Sequence, residues 1–242
     1  QGSCAAELRR RTPPSTAREP CPLRTRVRIT AVTRSVATLK TLIVSIMGDS
    51  RAYPLFRSVS AADTLALAQR LWSLMERRAA VAELIAELQT VEDVWRMVGV
   101  LPRAQYTAQG VPFDSCQWTH EYRADMLPRG SRELLALLPL RVDEEVAVGE
   151  GLEDVFVHAL GRGPASIYWD GNWPDGPELG LEAYATYEAV EVAFNSLDLD
   201  LVIPADEHTV FVHLSKLGNI PRAEWLARQV GVEVLGESVP GR

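Results

Sequence analysis

Lysine is almost missing from this chain: of its 25 basic residues only Lys40 and Lys216 are lysines. That bias fits GC-rich coding sequence, and no function follows from it. Cysteine is scarce too. Cys4 and Cys21 lie in an atypical N-terminal stretch, which leaves Cys116 as the one thiol of the body. A single thiol closes no internal disulfide, so the expectation is a reduced, cytoplasmic protein, bacterial in style. Long apolar runs are absent as well; the longest, Thr41 to Met47, falls far short of the roughly 18–20 residues of a membrane span. Gly-x-Gly-x-x-Gly, Gly-Lys-Ser/Thr and Gly-x-Ser-x-Gly patterns do not occur, which removes the common phosphate cradles and the hydrolase elbow. The four histidines stand in no His-Glu-x-x-His or His-x-Glu spacing, and no Cys-x-x-Cys occurs. No zinc site, other metal or cofactor is therefore expected.

What the chain does have is segregated charge. Residues 143–208 hold sixteen Asp and Glu against the single cation Arg162, whereas residues 1–46 hold nine cations and two anions. The overall formal charge of −7 hides this division. An acidic field repels nucleic-acid phosphates and attracts basic partners, so a basic protein is the expected partner, with no nucleic acid and no membrane.

Residues 1–46, Arg-, Ser- and Pro-rich and starting with Gln, read as a basic extension outside the fold. An over-extended gene start, a disordered tail and a transit peptide are the competing accounts, since Met47-Gly-Asp-Ser resembles a natural beginning. Residues 47–242 are expected to form one α+β domain with a helix-rich part, 58–138, and a strand-rich acidic part, 140–235. The fold class expected is thus an N-terminal helical segment followed by a mainly antiparallel sheet with two further helices.

Local patterns give the elements. Ser60 and Asp63 resemble a capping box ahead of Leu65, Ala68, Trp72 and Met75 at helical spacing. Val81, Leu84, Ile85 and Leu88 suggest a second helix; Thr90 and Asp93 cap a third that Gly99 stops. Leu101 to Pro128 reads as irregular. Strands are expected at Leu140–Val148, Val155–Ala159, Ser166–Trp169, Leu197–Ile203, Thr209–Leu214 and Val232–Leu235. Ala183, Tyr187, Val190, Phe194 and Leu197 step by four and three, which favours a helix, with a strand over Tyr187–Phe194 as the alternative. Pro221 and Gly231 frame a last helix.

Three constellations merit weighing. The segment Trp169-Asp-Gly-Asn-Trp173-Pro-Asp175 sets two indoles among carboxylates, with Glu178 and Glu182 close behind. Aromatic anchors ringed by acids suit a partner rich in arginine or lysine, so Trp169, Asp170, Trp173, Asp175, Glu178 and Glu182 form the expected partner-binding set. The same segment fails as a calcium loop: counted from Asp170, positions 5, 6 and 12 are Pro174, Asp175 and Leu181. Cys116 and His120 make a nucleophile–base pair only if their segment is helical, and prolines bracket it. Together these readings give a non-enzymatic acidic binding module, comparable in charge and size with inhibitor or immunity-type proteins that occlude a basic partner. The alternative is a small hydrolase or metal-assisted enzyme using carboxylates around Asp170 and Asp175, with His158 or His208. No catalytic residue is assigned.

Overall fold

The computed structural model describes residues 50–108, 121–177, 180, 188–215 and 220–241. The expectation for residues 1–46 and the Cys116–His120 pair lie outside the described residues. The elements in chain order are β1 (Ser50–Ser58), α1 (Ala61–Leu74), β2 (Arg77–Leu88), α2 (Val91–Val100), β3 (Gln105–Ala108), β4 (Glu121–Arg123) and α3 (Ser131–Leu135). They continue with β5 (Leu140–Ala147), α4 (Leu152–Ala159), β6 (Ala165–Asn172), β7 (Glu188–Phe194), β8 (His208–Ser215), α5 (Ile220–Gln229) and β9 (Val239–Pro240). Among the described residues, nine strands join one sheet in the order β4-β3-β5-β2-β6-β7-β8-β1-β9. Every pairing is antiparallel. The α+β class and the antiparallel sheet are as expected. Helices and strands nevertheless interleave from the start, and the first described element is a strand.

Alternation along the strands divides the sheet into two unlike faces. One face carries Tyr53 and Leu55 of β1, Leu84 and Leu88 of β2, Val142 of β5, Trp169 of β6, Val190 and Phe194 of β7 and Val212 of β8. The helices bury their stripes against it: Leu65 and Leu71 of α1, Met97 of α2, Phe156 of α4 and Leu226 of α5 belong to the same core. Burying each such side chain is worth about 1.5–3 kcal/mol, so this layer supplies most of the driving force. The second face has only a small apolar cluster, Ala52, Ala193 and Phe211, capped by Leu199 and Leu201 from the loop after β7.

Several local expectations hold. Ser60 accepts from the Asp63 backbone N–H and starts α1. Thr90 and Asp93 form a reciprocal capping box at α2. Gly231, at φ +78°, follows α5 where a left-handed residue is needed.

Others are corrected. β1 contains Pro54, which removes a ladder donor; it is accommodated where the β1–β8 register shifts between Pro54 and Phe56. Val81–Leu88 is strand: Ala82, Leu84, Ala86 and Leu88 face the core at a period of two, and the helical spacing arose because Val81 and Ile85 add apolar side chains on the other face. Gln105–Ala108 and Glu121–Arg123 are short outer strands within the segment read as irregular. Val155–Ala159 is helical, as the end of α4. Over 188–194 the helical spacing gives way to β7, the alternative reading, whose seven residues are all buried. A strand covered on both sides reads as a near-continuous apolar run. Leu197–Ile203 is a braced loop, and Val232–Leu235 is not strand.

Among the described residues no helix is long and apolar enough to cross a membrane.

One glycine marks how tightly the β2–β6 connection packs. A Cβ at Gly163 would lie 1.9 Å from the Glu87 carbonyl oxygen, and Glu87 N–H donates to Pro164 O at 2.8 Å. Gly163→Ala is expected to destabilise by about 1–3 kcal/mol through that clash, read as a lower urea midpoint at unchanged m-value.

Candidate functional site

Two of the residues expected to bind a partner are not on the surface. Trp169 is 1% exposed and Trp173 0% exposed. Trp169 faces the helical side of β6, opposite Ala82 and Val190. Trp173 follows the end of β6; its backbone N–H donates to Glu188 Oε2 at 2.7 Å and its indole Nε1–H to His213 O at 2.9 Å. Both rings fill the core, because a large aromatic with a satisfied polar tip gains more from burial than from display. Asp170 and Asp175 are exposed. Glu178 and Glu182 lie outside the described residues.

The loss of Trp173 to the interior is tied to a buried ion pair. Glu188 opens β7 on the core face, and Arg222 stands in the first turn of α5. Both side chains are fully buried, 3.7 Å apart, and Arg222 also donates to Pro174 O at 3.1 Å. Burial pushes the Glu188 carboxyl up to about 7, against the lowering effects of the Trp173 N–H and the Arg222 charge. The cluster ties β6, β7 and α5 together.

On the other side of β7, Glu191 is also fully buried. Its Oε2 lies 2.9 Å from His213 Nε2, and the His213 ring meets Tyr168 edge-on at 5.5 Å. Tyr168 stands opposite both Glu83 and Glu191 in register, and Glu83 stands opposite Glu145. A polar row thus runs across the second face from the exposed side of the sheet into its centre. His213 lies in the strand expected over Thr209–Leu214, and its contact with Glu191 gives the buried ring a partner. Glu191 was not among the expected site residues, because the spacing around it favoured a helix.

Among the described residues, no helix covers one half of the second face. Across β4, β3, β5, β2 and β6 the side chains pointing this way include Glu121, Asp143, Glu145, Glu83, Glu87 and Asp170, against Arg123 and Arg141. All eight are exposed or half-buried. A depression of about 530 Å³ is lined by Gln105, Thr107, Glu121, Asp143, Glu144 and Glu145, with Arg103 as its one cation. The Glu144 carboxyl is raised by burial first, then by repulsion from Asp143 and Glu145. Only two acids of the β5 triplet share the open face, since Glu144 points the other way.

The histidines of the alternative reading do not join Asp170 or Asp175. His158 Nδ1 lies 2.7 Å from Asp154 O of its own helix. His208 Nδ1 accepts the Asn195 N–H at 3.0 Å, which requires a lone pair on that nitrogen. Burial lowers its basicity, against the raising effect of a hydrogen bond to the Val59 backbone. Among the described residues no three His, Cys, Asp or Glu side chains converge as a metal-binding set.

The Glu188 carboxyl yields a signed pH dependence. Its folded-state value lies above the ordinary 4.5, so the folded protein holds the proton more tightly than the unfolded chain between 4.5 and about 7. The favourable contribution is complete below 4.5 and is lost as pH rises to about 7, an effect on the order of 3 kcal/mol. Unfolding free energies from pH 4.5 to 7.5 should therefore slope downward more steeply for the wild type than for Glu188→Gln. Equal slopes would show that Glu188 is ionised throughout.

Comparison of the chain with protein-family models, curated proteins and solved structures finds no significant match to any of them, so the functional reading rests on this geometry.

Proposed function

We propose that the protein is a non-enzymatic binding module whose open, acidic half-sheet docks on a basic protein and occludes it, in the manner of an inhibitor or immunity-type protein. The observation that carries the reading is the unequal treatment of the sheet. Described helices cover one face, while the described side chains on the open half of the other include six carboxylates, against Arg123, Arg141 and the Arg103 that lines its depression. Glu83 and Glu145 stand directly opposite each other on this face.

Carboxylates on a rigid sheet suit a partner whose own surface is shaped to hold phosphates. They steer encounter from a distance and fix register on contact. Asp170 stands on the open half-sheet and Asp175 just beyond β6, and both belong to the proposed docking set. The two indoles do not, and the apolar anchors of such an interface come from elsewhere on this face.

The test uses the full chain as bait at low salt and near 1 M salt, where the Debye length falls from about 10 Å at 0.1 M to about 3 Å. A stoichiometric basic protein should be retained at low salt, released at high salt, and lost to the triple variant Glu83→Gln, Asp143→Asn, Glu145→Gln. Undiminished retention by a folded triple variant would overturn the assignment of this face.

A further inference from the structure

We infer that the cleft between the loop after β7 and strands β2 and β5 seats one arginine side chain of the basic partner, an inference that rests on the acidic-face reading above. The cleft holds about 330 Å³. Its apolar surfaces come from Ile85, Leu201 and Pro204; its polar ones come from Glu87, Asp200 and Arg141. Ile85 is the apolar position between Glu83 and Glu87 on the open face, and Asp143 stands opposite it in register. Arg141 is paired with Asp143 at 3.8 Å, which leaves Glu87 and Asp200 as the carboxylates of the cleft itself. The net field of the cleft and its rim is therefore negative.

That combination selects among ligands. An anion meets repulsion from Glu87, Asp200 and Asp143. A purely apolar side chain would strip water from those same carboxylates without replacing it, which is costly. A long cationic side chain satisfies both surfaces, with its methylene stem along Ile85 and Leu201 and its head toward Glu87 and Asp200. Arginine fits better than lysine: its planar fork presents five donors able to bridge two carboxylates, and it gives up hydration more readily than an ammonium.

The outer wall is built before any ligand arrives. Asp198 accepts the backbone N–H groups of Val202 and Ile203, each at 2.9 Å. Ala205 N–H donates to Asn195 O at 2.9 Å, and the Asn195 amide donates to the carbonyls of Gly161 and Gly163 at 3.0 and 2.9 Å. Leu201 takes φ +59°, an unfavourable value for leucine, and packs toward Phe211 and Ala193, while Val202 remains 72% exposed at the lip. A wall already ordered spares the complex the entropy of ordering it, and Val202 with Ile203 supplies exposed apolar area beside the charged seat.

The test titrates the ¹⁵N-labelled full chain with acetyl-Gly-Arg-Gly-amide, and separately with the same peptide carrying citrulline, at low ionic strength. The arginine peptide should give saturable shifts at the amides of Ile85, Glu87 and Leu201; the uncharged citrulline peptide should not. The double variant Glu87→Gln, Asp200→Asn should bind about tenfold more weakly. No saturable shift, equal response to citrulline, or an unchanged double variant would each overturn the seat. If the double variant fails to fold, the arginine-against-citrulline comparison on the wild type decides alone. Hexa-arginine separates the two levels. Salt-dependent binding of hexa-arginine while the tripeptide fails removes the seat and keeps the acidic face; failure of both removes the acidic-face reading as well.

Discussion

The structure turns on two carboxylates in β7, which with β8 is buried along its whole length. Glu188 and Glu191 have opposite parity on β7, so one enters the helical core and the other the second face. A buried carboxylate is tolerated only with partners, because stripping its water costs several kcal/mol. Glu188 draws on Arg222 and the Trp173 backbone, and Glu191 on His213. These partners come from α5, the segment after β6 and strand β8, so the central strand fixes the position of three neighbours at once. Apolar burial supplies more free energy, but it is not directional; these contacts choose one arrangement.

That constraint reaches the surface. Satisfying Glu188 pulls Trp173 inward, and the indole N–H then bonds to the His213 carbonyl. The strongest aromatic candidate for a docking anchor is spent on the interior. Charge is sorted in the same way. Glu188 and Glu191 are buried, Glu144 points away from Asp143 and Glu145, and Asp198 braces a loop. The acidic stretch is therefore not one acidic surface. Two strands from the earlier part of the chain, β2 and β4, bring Glu83, Glu87 and Glu121 to join what remains of it on the open half-sheet.

Legibility varied by element for physical reasons. Helix caps were readable because a cap is a contact within four residues, and Ser60, Thr90 and Asp93 make those contacts. β8 and β6 were readable from β-branched and aromatic runs. β2 and β7 were not, since alanines and glutamates inside them give helical and strand periods equal support, and only the neighbouring strands decide. β1 was hidden by Pro54, which is permitted by a bulge that exists only once β8 is paired beside it. Of the candidate site, Asp170 was named from the sequence and is exposed, whereas the carboxylates of β2 were not named, since Val81, Leu84, Ile85 and Leu88 suggested a helix that does not form.

The sequence by itself determined the net acidity, its concentration after residue 143, the α+β class, and the caps of α1 and α2. Those are properties of composition or of contacts a few residues apart. The tertiary structure alone decided which acids are buried and which are displayed, that both indoles belong to the core, and that a cleft opens between the loop after β7 and the β2–β5 pair. Each of these depends on which strands lie side by side, and Glu83 meets Glu145 and Tyr168 across separations of 62 and 85 positions. Register over such distances is set by the packing of the whole sheet, which no local pattern encodes.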